Sequence, residues 1–134
     1  MNLHQYAETH AVTNQPPSLD GVNLYRIDLP LQQWGQRFGA GWAQSRIDAY
    51  GALAGGPLMA AGFLANENKP VFVSHDRFGH RIDQVDFHPA YHELMRTAIE
   101  HGRPSLPWTN PQPGAHVARA SMTYLHTQAE AGSG

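Results

Sequence analysis

The sequence has no cysteine and a single lysine, Lys69. The lack of cysteine excludes disulfides, thiolate zinc sites and cysteine nucleophiles, and it fits a cytosolic protein. The other basic residues are arginines that are scattered along the chain. Because affinity for nucleic acid rests first on a cluster of positive charge, we expect no nucleic-acid binding by this segment.

Charged residues and long hydrophobic runs are also scarce. Charged residues make up 15% of the 134 residues, against about 25% in a typical soluble domain. The longest uncharged apolar stretch, residues 51–65, is too short and too rich in glycine to span a bilayer. The first ten residues lack the basic start and apolar core of a secretory signal peptide. We expect a cytoplasmic chain with no membrane segment, part of whose surface faces other protein.

The spacing of proline, glycine and apolar residues predicts an all-α fold. Residues 1–30 predict an extended N-terminal arm, and residues 31–134 predict a helical domain. Apolar periodicity predicts about five helices, which start near Leu31, Trp42, Pro57, Pro89 and Ala118. A small β-hairpin is predicted over about residues 71–86. The proline-rich residues 102–114 predict a rigid loop, and the last helix is expected to end at Gly132.

Three of these helices have an apolar face that predicts the core. The second helix places on one face Ala43, Ile47, Tyr50 and Ala54. The fourth helix is expected to turn inward Tyr91, Leu94, Met95, Ala98 and Ile99. On the last helix the inner residues are spaced by four, three and four positions, and they are Ala118, Met122, Leu125 and Ala129.

The third helix, which begins at Pro57, is apolar on every face as far as Asn66. A helix that is apolar all round is buried on all sides, and this is hard to arrange within a domain of this size. We therefore predict that it contacts another domain or subunit, and the candidate contact residues are Leu58, Met59, Phe63 and Leu64.

Two histidines, His88 and His92, have the spacing that places two imidazoles on one face of a helix. A third ligand at a defined distance is lacking. Pro89 indicates that His88 lies at the start of the helix, where its ring need not converge with that of His92. We interpret both as structural residues and assign no metal ligand; a small histidine metal-binding module is the alternative.

Local motifs provide no catalytic apparatus. Gly39-Ala40-Gly41 precedes a helix as a phosphate loop does, but Gln44 stands where the third glycine of the dinucleotide fingerprint is needed, and no Walker lysine follows. None of the serines lies in a Gly-x-Ser-x-Gly elbow. We assign no catalytic and no cofactor-binding residue.

Longer blocks of the sequence resemble a known family. In chain order they are THAVTNQPPSLDGVNLY (9–25), GAGWAQSRIDAYGALAG (39–55), FLANENKP (63–70), HDRFGHRIDQVDFHPAYHELM (75–95) and ARASMTYLHTQAEAGSG (118–134). They resemble the N-terminal region of the AidB-like branch of the flavin-dependent acyl-CoA dehydrogenases, a family named from its association with the adaptive response to DNA alkylation.

The resemblance implies an N-terminal helical domain, a central β-domain and a C-terminal helical bundle, with FAD between the last two, in a tetramer. It implies α,β-dehydrogenation of an acyl-CoA thioester. Since the chain resembles only the first part, we expect the β-domain and the bundle to be absent from it. The chain alone is then expected to bind no FAD and to be inactive, and no catalytic residue can be transferred to it.

The expected function is that of an N-terminal domain that contributes scaffold, a wall of the acyl cleft and subunit contacts. Its partners would be the remainder of the dehydrogenase polypeptide or other subunits of a homo-oligomer. Besides the metal-binding module, a further alternative is a non-enzymatic interaction protein that retains the fold.

Overall fold

The computed structural model describes residues 13–18 and 20–130. Within them lie six α-helices and one two-stranded antiparallel sheet, so the predicted all-α fold with a hairpin is confirmed. In chain order the elements are α1 (Leu29–Arg37), α2 (Gln44–Ala54), α3 (Pro57–Glu67), β1 (Val71–His75), β2 (Arg81–Asp86), α4 (Pro89–Glu100), α5 (Leu106–Thr109) and α6 (Ala115–Ala129).

Caps and prolines fix where the helices begin. At α1 the carboxylate of Asp28 accepts a hydrogen bond from the backbone N–H of Leu31 at 3.0 Å, and Pro30 occupies the first turn. At α3 and α4 the first residue is itself a proline, Pro57 or Pro89. Proline suits this position because its fixed φ is helical and its missing N–H would have no helical partner.

The core lies where α2, α3 and α6 meet. The predicted inner faces of α2 and α6 are confirmed, since every residue named for them is buried. Leu24 and Tyr25, from the turns that precede α1, are buried in the same cluster. Full burial of an aliphatic or aromatic side chain contributes about 1.5–3 kcal/mol to the free energy of unfolding. These packed faces are therefore the main source of stability.

The predicted inner face of α4 is wrong at two positions. Met95 and Ile99 are 60% and 58% exposed, whereas Leu94 and the two small residues Ala90 and Ala98 are buried. Spacings of four put these three buried residues in one narrow row, along which α3 packs closely. The wide apolar stripe of α4 is thus covered on one side only.

One predicted loop and one predicted boundary also differ from the structure. The expected loop over residues 102–114 contains the short helix α5, whose Leu106 is fully buried. Proline at position 107 is tolerated because it lies in the first turn. Helix α1 starts at Leu29, inside the predicted arm, and the predicted end of the last helix at Gly132 lies outside the described residues.

The hairpin pairs Val71 with Asp86 and Phe72 with Val85 in an antiparallel register. Its turn is held by Asp76, whose carboxylate accepts hydrogen bonds from the backbone N–H groups of Phe78 and His80 at 2.8 and 2.9 Å. Almost every residue of both strands is exposed. The ribbon therefore gains little from the core, and a two-stranded hairpin is marginally stable by itself.

Two of the close backbone approaches that require glycine involve the ends of α6. Gly114 precedes α6 with φ +84°, and a side chain there would collide with the carbonyl group of Gly39. Gly62 lies in the middle of α3, where a Cβ atom would collide with the carbonyl oxygen of Ala129 at the end of α6. These contacts set the position of α6 at both of its ends.

Within the described residues, no single helix is long and apolar enough to cross a membrane. One bent pair, Gly41–Ala54 with Pro57–Glu67, meets the requirement by length and composition, with 46° between its halves. Both halves supply residues to the hydrophobic core.

The approach at Gly62 yields a testable pair of substitutions. We expect Gly62→Ala to lower the free energy of unfolding by about 1–3 kcal/mol, because the added methyl group forces α3 away from α6. Gly35→Ala is the matched control: it lies inside α1, where an added Cβ would have only Ala40 as a neighbour, at 4.0 Å. We expect this control to raise stability by about 0.5–1 kcal/mol, since glycine is a poor helix former. Chemical denaturation measures both, and equal effects would contradict the packing described.

Candidate functional site

The four residues predicted to contact a partner divide into two pairs. Leu58 and Met59 are buried inside this chain, at 1% and 9% exposure, and are therefore unavailable to another protein. Phe63 and Leu64, on the outer side of the same helix, are 64% and 47% exposed. The candidate contact surface on α3 consequently narrows to Phe63 and Leu64.

His88 has a local structural role. It is the N-cap of α4, and its Nδ1 accepts a hydrogen bond from the backbone N–H of Ala90 at 3.1 Å. The ring of His92 packs edge-on against Phe87, with 6.2 Å between ring centroids. In residues 13–18 and 20–130 no group of three or more His, Cys, Asp or Glu side chains has the arrangement that could hold a metal ion.

A buried polar cluster joins α2 to α6 and was not predicted from the sequence. The hydroxyl group of Tyr50 lies 2.8 Å from Nδ1 of His126, and Nε2 of His126 lies 3.3 Å from Oε2 of Glu130. The side chains of His126 and Glu130 are 8% and 7% exposed, and Tyr50 is fully buried. Arg103, from the turn after α4, is close enough to act electrostatically on both rings.

The partners of His126 determine which of its nitrogens carries the proton. A carboxylate oxygen is a hydrogen-bond acceptor, so the tautomer that fits these partners carries its proton on Nε2, with the N–H directed towards Glu130. Nδ1 is then a bare acceptor, and the Tyr50 hydroxyl donates to it. Neutral His126 thus uses both of its ring nitrogens, as a buried imidazole needs to.

Burial shifts the pKa values of both rings in the direction that favours the neutral forms. Burial, followed by the positive charge of Arg103, lowers the pKa of His126 to about 4. Burial raises the pKa of Tyr50 to about 12, although Arg103 acts in the opposite direction. At neutral pH the hydrogen bond therefore joins a neutral phenol to a neutral imidazole.

Tyr–His–carboxylate chains also occur in catalysis, but this one is closed to solvent at Tyr50. A substrate could not reach the phenol without separating α2 from α6. The cluster therefore fixes the two helices relative to each other. The spacing of four between His126 and Glu130 was its only signal in the sequence, because Tyr50 and Arg103 come from distant parts of the chain.

A different set of residues, the exposed aromatic side chains of α1 and α6, was also not predicted as a surface. Trp34 and Phe38 stack with 5.2 Å between centroids and 4° between planes, and each is about half exposed. Together with Tyr124 they line a groove of about 260 Å³ between α1 and α6.

Comparison with known proteins places this helical unit in a family. The model of the Adaptive response protein AidB N-terminal domain matches residues 14–134, which is nearly the whole chain. The chain belongs to the AidB N-terminal domain family. The resemblance inferred from the sequence blocks is thereby confirmed.

A curated relative supports the same assignment for this AidB-type domain. The chain is 41% identical over 128 residues to the putative acyl-CoA dehydrogenase AidB of Escherichia coli (strain K12), covering 94% of this chain and 24% of that protein.

Two solved structures share the fold. The apo-form of Bd2924 has a TM-score of 0.77 at 21% identity, covering 89% of this chain and 25% of that one. Caenorhabditis elegans ACDH-11, in complex with C11-CoA, has a TM-score of 0.70 at 18% identity, covering 95% and 23%. The AidB-type chain thus spans about a quarter of the length of these relatives, and it is an N-terminal domain of an acyl-CoA dehydrogenase-like protein.

The buried histidine predicts how stability depends on pH. Between about pH 6.5 and pH 4 the unfolded chain binds a proton at His126 that the folded chain does not. The free energy of unfolding should therefore fall as the pH is lowered through this interval, by up to about 3 kcal/mol. Thermal or urea denaturation at a series of pH values measures the loss.

The matched variant is His126→Gln, because glutamine can accept from Tyr50 and donate to Glu130 but does not titrate. We expect it to remove most of the pH dependence that remains after the carboxylates are accounted for. His116→Gln, at an exposed site on the same helix, should leave the pH dependence as it is in the wild type. Identical profiles for the wild type and His126→Gln would contradict the assignment.

Proposed function

We propose that this chain acts as the N-terminal scaffold of a larger AidB-like, flavin-dependent acyl-CoA dehydrogenase, in which it forms a wall of the acyl cleft and contacts other domains or subunits. The family assignment carries the proposal. The exposure of Phe63 and Leu64 supports it, since a helix that is otherwise part of the core turns two large apolar side chains outward.

The reaction of the larger protein would be α,β-dehydrogenation of an acyl-CoA thioester. FAD, when bound, would accept the hydride from the β-carbon of the substrate. The glycine-rich turn that resembles a phosphate loop does not fit the flavin. At Gly39 it is occupied by the backbone of Gly114, whose Cα atom is 3.5 Å from where a Cβ atom of residue 39 would lie. A phosphate group could not approach it.

FAD, a catalytic base and a tetramer are therefore proposed for the larger protein, and a cytoplasmic location is proposed for the chain and the larger protein alike. Flavin absorbance distinguishes this proposal from the alternative of a non-enzymatic interaction protein. Purified alone, the chain should show no visible flavin absorbance, and a polypeptide that also carries the remaining domains should be yellow. A colourless longer polypeptide would favour the non-enzymatic alternative.

The α3 contact can be tested by comparing two contexts. We expect Phe63→Ser with Leu64→Ser to change the free energy of unfolding of the isolated chain by less than about 0.5 kcal/mol per site, because both side chains are exposed. In the larger protein the same pair should lower stability by about 2 kcal/mol or more, because buried apolar contacts are lost. Thermal unfolding and size-exclusion chromatography with light scattering measure both.

Leu58→Ala is the control for this comparison. Its side chain is buried inside the chain, so it should lower the stability of the isolated chain and of the larger protein alike, by about 2–5 kcal/mol. If the Phe63 and Leu64 substitutions were equally harmless in both contexts, α3 would have no partner and the contact role would be refuted.

A further inference from the structure

The charges of the chain are unevenly distributed. Residues 29–47 and 101–129 contain four arginines and no aspartate or glutamate, and they hold all three tryptophans. The rest of the sequence contains the other five basic residues and all eleven acidic ones. The two segments together have a net charge of +4, and the rest of the chain has a net charge of -6. These sum to the formal net charge of -2.

The fold brings these two acid-free segments together. Helices α1 and α5 both pack against α6. The indole N–H of Trp42 donates a hydrogen bond to the carbonyl oxygen of Pro113 at 3.0 Å, and the backbone of Gly39 meets that of Gly114. Two of the four arginines, Arg37 and Arg119, consequently lie beside exposed tryptophans next to α6.

We call this exposed surface next to α6 the aromatic face, and it consists of Trp34, Phe38, Trp108, Tyr124, Arg37 and Arg119. The apolar groove between α1 and α6 shares Ala120 and Tyr124 with a second depression of about 440 Å³, which Arg119 also lines. The two depressions therefore form a continuous surface along the outer side of α6.

Each arginine of the aromatic face lies over an exposed ring. The guanidinium carbon of Arg37 is 5.2 Å from the ring centroid of Trp34, and that of Arg119 is 5.6 Å from the ring centroid of Trp108. Stacking of this kind orders the guanidinium group while leaving the N–H groups, which lie in the guanidinium plane, available to carboxylates. Tryptophan, tyrosine and arginine are also the residues that dominate binding energy at protein interfaces.

We propose that the aromatic face docks an amphipathic helix of a partner protein, whose apolar side chains enter the groove while its flanking carboxylates meet Arg37 and Arg119. A groove between two helices suits the apolar row of a third helix. Residues 29–47 and 101–129 contain no aspartate or glutamate, so they do not repel the carboxylates of such a partner. A nucleic acid fits less well, since the groove is lined mainly by apolar side chains and few arginines are available for phosphates.

This site shares no residue with the Phe63–Leu64 contact surface. The inference therefore goes beyond the proposed function, and its failure would leave that function intact.

The test uses a fluorescein-labelled amphipathic peptide of about eighteen residues, which is five turns of helix. Leucine and phenylalanine form one face, and glutamate flanks it; a second peptide has lysine in place of each glutamate. Fluorescence anisotropy with the 134-residue chain should show the glutamate peptide bound at least about tenfold more tightly than the lysine peptide. Binding of the glutamate peptide should weaken as the salt concentration rises, because exposed charges are screened.

Substitutions then locate the site. We expect Trp34→Ala to weaken binding by about tenfold or more, and Arg37→Gln to reduce the preference for the glutamate peptide. The matched control, Phe63→Ala, should change the affinity less than about twofold, because additivity holds for separate surfaces. Circular dichroism confirms that each variant is folded, which the half-exposed position of Trp34 favours.

Four binding results would overturn the proposal, and so would self-association through the same face. The four results are no binding of the glutamate peptide, equal binding of the two peptides, an affinity that Trp34→Ala leaves unchanged, and tighter binding of an oligothymidylate strand than of the peptide. The last would assign the face to single-stranded nucleic acid. Self-association of the chain that Trp34→Ala abolishes would instead assign it to a second copy.

Discussion

Helices α2 and α6 bury Tyr50, Met122 and Leu125, and every other helix packs against one of this pair or against α3, which contacts both. Apolar contacts alone would tolerate several offsets between two such helices, because alanine and leucine fit many partners. The hydrogen bond from Tyr50 to His126 exists at one offset only, and in its absence a polar atom would be buried without a partner. It therefore sets the register on which the remaining packing depends.

The elements of the fold were largely predictable, because helical periodicity is a local property of the sequence. The inner faces of α2 and α6 follow from it directly. The burial of Met95 and Ile99 was predicted wrongly because the width of a covered face depends on the neighbouring helix, which a local pattern does not describe. Helix α5 was missed because four residues are too few to show a period.

The functional surfaces were less predictable than the fold. The all-round apolar character of α3 predicted a contact with another domain or subunit, but only the structure separates Leu58 and Met59, which serve the core, from Phe63 and Leu64, which do not. The acid-free segments can be read from the sequence, yet their packing against each other depends on contacts between residues that lie some seventy positions apart, such as Trp42 and Pro113. The family assignment came from extended sequence blocks and not from any single motif.

The exposed ribbon of β1 and β2 has a consequence for how copies of the domain behave towards each other. Between Val73 and His75 the register shifts, and Asp83, in the strand opposite, has a φ of +44°. An extra residue of this kind bends and twists a strand, and Arg81, Asp83 and Asp86 place charges along it. A bent, charged edge pairs poorly with another strand. The edge of β2 can therefore lie beside exposed apolar side chains without acting as a template for the stacking of chains into fibrils.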